Sequence, residues 1–117
     1  MKVLVVDDNP INRLLPVTWL NRAGHEAVEC SSGFEALERL GVGQYDAVLL
    51  DLSMPGLSGT EVCRQLRASP EHADIRIVAY TAHLQPELVG GFQGAGFDQV
   101  LIKPVTRAGV FKALGIE

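Results

Sequence analysis

Tyr45-Asp46-Ala47-Val48-Leu49-Leu50-Asp51-Leu52-Ser53-Met54-Pro55-Gly56 is the stretch from which the fold can be read. Ala47 to Leu50 is a continuous apolar run that stops at one carboxylate, Asp51, followed by turn residues. A short apolar run bounded by turn signals reads as a strand buried on both faces. Such a strand rarely ends in a charge unless the charge has a partner or a task. The same shape recurs along the chain. Val3-Leu4-Val5-Val6 runs into Asp7-Asp8, Ile77-Val78-Ala79-Tyr80 into Thr81, and Val100-Leu101-Ile102 into Lys103-Pro104. In an open parallel α/β sheet, ligands bind outside the carboxyl ends of the strands. The polar strand ends therefore mark the site.

The segments between these runs read as helices. Asn9 caps a first helix with Pro10 at its first position, and Gly24 stops it near Ala23. Ile11, Leu15, Trp19 and Ala23 repeat every four residues, flanked by Leu14 and Leu20, and are expected to face the sheet. Pro16 is anomalous in that helix and predicts a kink or a loose first turn. Glu26-Ala27-Val28-Glu29-Cys30 alternates polar and apolar, as an edge strand does. Ser31-Ser32-Gly33 caps a short helix to Leu40, and Ser58-Gly59-Thr60-Glu61 opens another carrying Val62 and Leu66. A helix from Pro86 is weakened by Gly90, Gly91 and Gly94 and is expected to be the mobile output element. Thr106 caps a last helix ending at Leu114. Strands alternating with helices make a doubly wound parallel sheet with helices on both faces.

The chain has 117 residues, the size of one domain, here taken as 1–117. Hydrophobic residues make up 47% and charged residues 21%, which excludes a disordered chain. No apolar run approaches a membrane span, no leader is expected, and the net charge of -4 argues against nucleic acid as a partner. Cys30 and Cys63 lack metal spacing and read as reduced thiols of a cytoplasmic domain.

With Asp7-Asp8, Asp51 in Asp51-Leu52-Ser53-Met54-Pro55, Thr81-Ala82 and Lys103-Pro104 in this order, the chain resembles the receiver domains of two-component response regulators. Val6-Asp7-Asp8-Asn9-Pro10-Ile11-Asn12-Arg13 and Thr81-Ala82-His83 look most like receivers of hybrid sensor histidine kinases. The resemblance spans nearly the whole chain. It implies five strands in the order 2-1-3-4-5, which brings Asp7, Asp8 and Asp51 together. It also implies that Asp51 is the phosphoacceptor. Mg2+ would be held by Asp8 and Asp51 directly, by Asp7 through water, and by the backbone carbonyl of Ser53. Thr81, the amide of Ala82 and Lys103 would stabilise the phosphoryl group. Ser53 and His83 would modulate the chemistry, and the Lys103-Pro104 peptide would be cis.

Such a domain accepts a phosphoryl group from phosphohistidine on a sensor histidine kinase or a histidine phosphotransfer domain, then changes conformation. It is a signalling domain in the cytoplasm rather than an enzyme, assisting its own phosphorylation and dephosphorylation at most. Partners would dock on Pro10, Ile11, Leu14, Pro104 and Val105. It would be a monomer before phosphorylation, with the face between the Pro86 helix and the last helix available for a dimer. One departure concerns switching: Val100 stands where the family usually has an aromatic coupled to Thr81, and Tyr80 is the substitute ring the sequence offers. Three rival readings fit less well. A flavin-binding protein of this architecture needs a phosphate loop where Asp7-Asp8 stand. An aspartyl phosphatase needs a second carboxylate where Ser53 stands. A degenerate receiver that only binds other proteins would not need the full set of site residues.

Overall fold

A computed structural model describes residues 1–82 and 96–116. Strands β1 (Lys2–Val6), β2 (Glu26–Cys30), β3 (Ala47–Asp51), β4 (Arg76–Thr81) and β5 (Gln99–Ile102) form one parallel sheet in the order β2-β1-β3-β4-β5. Between and after them lie α1 (Pro10–Arg22), α2 (Gly33–Val42), α3 (Gly59–Ala68), a 3-10 turn (Pro70–His72) and α4 (Arg107–Leu114). The expected helix from Pro86 falls outside the described residues, as does its proposed mobility.

Alternation along the strands sorts the core into two faces. Leu4, Val6, Val48, Leu50 and Ile77 pack against Ala36 and Leu40 of α2 and Val62, Cys63 and Leu66 of α3. Val3, Val5, Ala47, Leu49, Val78 and Tyr80 pack against Leu20 of α1 and Val110, Phe111, Ala113 and Leu114 of α4. Ala47 to Asp51 is buried throughout, as a central strand covered on both faces must be. β2 is an edge, and its half-wet pattern fits that position.

Each of the four described α-helices starts at a side-chain cap that takes up an otherwise unpaired amide. Asn9 accepts from the Ile11 amide at 2.9 Å, Ser32 from Glu35 at 3.1 Å, Ser58 from Glu61 at 3.2 Å and Thr106 from Gly109 at 3.0 Å.

The buried face of α1 differs from the expectation. Trp19 and Leu20 pack against the core as expected, but Ile11, Leu14 and Leu15 are 76%, 62% and 55% exposed and Ala23 is exposed, while Pro16 is buried. The helix is turned so that the line through Arg13, Pro16 and Leu20 meets the sheet. Arg13 fixes that rotation, donating to the Asp7 carbonyl at 2.6 Å and to Glu29 at 2.9 Å. Pro16 does not end the helix, which is assigned continuously from Pro10 to Arg22. Its ring is instead part of the covered surface.

Candidate functional site

The order β2-β1-β3 reverses direction between β1 and β3, and the carboxyl ends of those strands carry Asp7 and Asp51. This is the crevice where open α/β sheets bind ligands. Asp7, Asp51 and Thr81 are buried polar side chains, and Asp8 lies exposed at the rim. Carboxylate oxygens of Asp7, Asp8 and Asp51 lie within 4.8 Å of one another.

The chain turns sharply around each acid. The Asn9 amide donates to Asp7 Oδ1 at 2.9 Å, and the Ser53 amide donates to Asp51 Oδ1 at 3.2 Å. Beyond Ser53, Gly56 takes a left-handed φ of 81°, a conformation glycine adopts without strain. Gly59 then brings α3 against the end of β3. A side chain on Gly59 would overlap the Asp51 carbonyl, so the start of α3 sets how far the Asp51 backbone can move.

Lys103 reaches the cluster from the far edge of the sheet. Its amide donates to the Thr81 carbonyl at 2.8 Å, extending the β4–β5 ladder by one bond. Its ammonium lies 3.1 Å from Asp7 Oδ2 and 3.6 Å from Asp51 Oδ1. The Lys103-Pro104 peptide is cis. Thr81 ends β4 beside Asp51, with Ala82 exposed directly after it. Ser53 is exposed in the turn after Asp51. His83 lies outside the described residues. Val100 is half-buried on β5, paired with Ala79. Tyr80 pairs with Leu101, so alternation sends its ring to the opposite face from Val100. It does not occupy the space of the missing aromatic.

The two buried acids are pushed in opposite directions. Burial raises the Asp51 carboxyl; the Ser53 amide and Lys103 oppose this, while the charges of Asp7 and Asp8 add to it. Burial also works to raise Asp7. The Asn9 amide, the Tyr80 hydroxyl and Lys103 outweigh that effect and hold Asp7 below its ordinary value. Among the described residues, one ammonium thus meets two carboxylates of a cluster of three. Hard oxygen donors with uncompensated negative charge suit a hard divalent cation, and magnesium needs only one or two carboxylates plus water. The residues fit that ion.

Two contributors have roles that the sequence did not show, although Tyr80 was singled out there as a substitute switch ring. Arg13 reads as an ordinary helix charge until the fold brings it to the Asp7 carbonyl. Tyr80 reads as strand core until the register pairs it with Asp51. The only signal available for Tyr80 was its position directly before Thr81.

The family described as response regulator receiver domain matches residues 3–115, and the chain belongs to it. It is thus a receiver domain of the kind used in two-component and hybrid-kinase signalling. Sensor protein GacS of Pseudomonas syringae pv. syringae is 37% identical over 108 residues, covering 90% of this chain and 12% of that protein. The CAI-1 autoinducer sensor kinase/phosphatase CqsS of Vibrio cholerae is 34% identical over 107 residues, covering 91% of this chain and 16% of its own length. The chain therefore spans only a small part of these relatives. Among solved structures, the chemotaxis protein CheY4 of Vibrio cholerae superposes with a TM-score of 0.91 at 28% identity, over 97% of this chain and 95% of that one. The receiver domain of sensor histidine kinase PA1611 from Pseudomonas aeruginosa gives a TM-score of 0.88 at 32% identity, over 97% and 93%, and holds magnesium in its active site cleft. No helix among the described residues is long and apolar enough to cross a membrane.

Proposed function

We propose that Asp51 is the phosphoacceptor of this receiver and that phosphohistidine is its donor. The observation that carries this reading is a buried carboxylate ending the central strand, with an ammonium 3.6 Å away and two further carboxylates beside it. A carboxylate oxygen of Asp51 attacks phosphorus, the phosphorus–nitrogen bond breaks, and the imidazole leaves with the electron pair and takes a proton. Asp7, Asp8, Asp51 and the Ser53 carbonyl would hold Mg2+, which when bound neutralises charge on the phosphoryl oxygens. Lys103 supplies a further positive charge. The Thr81 hydroxyl and the Ala82 amide donate to a further oxygen. The chain is consumed stoichiometrically as an acceptor rather than turning over as an enzyme.

The donor is carried by a sensor histidine kinase or a histidine phosphotransfer domain. Its landing surface is the exposed apolar group of Ile11, Leu14 and Leu15 on α1, together with Pro104 and Val105. A groove of about 400 Å³ runs between these two sides, with Tyr80 and Lys103 on its lining. Such donors belong to the cytoplasm, and the buried thiols of Cys30 and Cys63 suit a reducing compartment. Burial pushes them up to about 12 and about 11, so they are inert. Incubation with phosphoramidate tests the chemistry. Label is expected with magnesium and is expected to fall to background under chelation. Labelling that persists without divalent ion counts against the proposal.

A further inference from the structure

Tyr80 is a residue the phosphoacceptor chemistry has not yet used. It stands on β4, in register with Asp51 on β3 and Leu101 on β5. Val5 and Leu49, each two residues before an acid of the cluster, share one core face with Tyr80. Alternation therefore sends Asp7, Asp51 and Tyr80 to the same side of the sheet. The ring is 1% exposed. Its hydroxyl donates to the Val6 carbonyl at 3.5 Å. The ring thus spans from β4 past the end of β3 to β1 and is held at both ends. The Lys103 ammonium sits over its face, 4.6 Å from the centroid.

We propose that Tyr80 is a positioning residue for Lys103: its ring is the seat that holds the ammonium between Asp7 and Asp51. The part of this inference that concerns phosphorylation rests on the reading of Asp51 and Lys103 given above. A lysine side chain has four rotatable carbons and no preferred direction of its own. Two carboxylates attract the ammonium but do not fix it, because either one satisfies it. The negative face of an aromatic ring adds a third attraction from below. That attraction is directional, and the ring supplying it cannot turn away. A leucine or valine in the same position would keep the core apolar, though with a cavity, and give the ammonium no such face. Tyr80 is then a fixed support rather than a moving switch ring.

The test is a pair of measurements on the full chain, with Tyr80→Phe retaining the ring and Tyr80→Leu removing it. The first is the proton shift of the Lys103 ε-methylene, read without magnesium or phosphodonor. It is assigned by loss of the signal in Lys103→Arg. Lys2, which lies 4.7 Å over Tyr45, is assigned separately by Lys2→Arg. Lys103 is expected upfield of Lys112 in the wild type and in Tyr80→Phe, and level with it in Tyr80→Leu. The second is the rate of labelling by phosphoramidate at saturating magnesium. Tyr80→Phe is expected within about twofold of wild type, and Tyr80→Leu slower by about tenfold or more, with magnesium affinity held within about threefold. The shift reports that the ammonium rests on the ring, and slower labelling with magnesium affinity intact reports that losing the ring displaces it, whereas a merely structural role would disturb magnesium affinity together with the rate. Absence of an upfield shift in the wild type overturns the seat, even if Tyr80→Leu fails to fold. So does wild-type labelling speed in a folded Tyr80→Leu. Wild-type protein that shows the shift but takes no label overturns the reading of Asp51 and not the seat.

Discussion

Asp51 and Asp7 are chemically the same residue in opposite situations. Asp51 is raised, by burial first, so its ionised form is tolerated poorly in the folded state. A raised folded value gives stability that is present at low pH and lost as pH rises through that value. Asp51→Asn is therefore expected to raise the melting temperature by several degrees at neutral pH. That gain should shrink in acid, where wild-type Asp51 holds its proton. Asp7 is lowered despite its burial, because Asn9, Tyr80 and Lys103 favour its charge. A lowered folded value gives stability present above the unfolded value and lost as pH falls through the folded one. Asp7→Asn is expected to lower the melting temperature at neutral pH, with the loss fading in acid. Thermal melts of both variants at neutral and acid pH check the two signs, and equal signs would contradict this assignment. Asp51 was legible in the sequence because a charge ending a doubly buried strand has few bland explanations. Tyr80 was not, because its role depends on register across three strands, and no single-strand pattern encodes that.

Elements are tied together by close backbone contacts at the site end of the sheet and by an arginine at the other. Gly59 opens α3 against the Asp51 carbonyl. Gly59→Ala is expected to cost about 1–3 kcal/mol by forcing β3 and α3 apart. It should also slow phosphorylation, since the displaced strand end carries the acceptor; an unchanged melting temperature would refute the contact. At the other end of the sheet, Arg67 on α3 joins several elements. It donates to the carbonyls of Ala73 at 2.9 Å, Ile75 at 2.6 Å and Gly96 at 2.9 Å, and to Asp98 Oδ2 at 2.8 Å. The same Asp98 oxygen accepts from the Ile77 amide. Arg67→Ala is expected to cost about 2–3 kcal/mol, and Arg67→Lys to recover little, because a single ammonium cannot serve the directions of a planar guanidinium. Denaturant melts of the two variants decide it, with full recovery by lysine as the contrary result. Strand positions, caps and the parallel class were all readable from apolar runs and turn residues. The rotation of α1 was not. Ile11, Leu14 and Leu15 give the helix more apolar surface than the sheet covers, and Arg13 selects which side turns inward.

The described residues form one sheet with helices on both faces, and its carboxyl edge gathers the chemistry. Exposed apolar side chains border that edge on the α1 side, next to the groove that reaches Tyr80 and Lys103. Amide shifts on titration with a histidine phosphotransfer domain are expected at 11–15 and at Lys103, Val105 and Thr106, and not at the far edge beside β2. Shifts confined to β2 would contradict that docking face. The sequence could assemble the acidic cluster only through a resemblance, because strand order is a tertiary property that local patterns do not fix. The most direct measurement of the central claim is intact mass after incubation with magnesium and acetyl phosphate. Wild type is expected to gain one phosphoryl group, and Asp51→Asn none. A folded Asp51→Asn chain that gains the same mass at the same rate would contradict the assignment of Asp51 as acceptor.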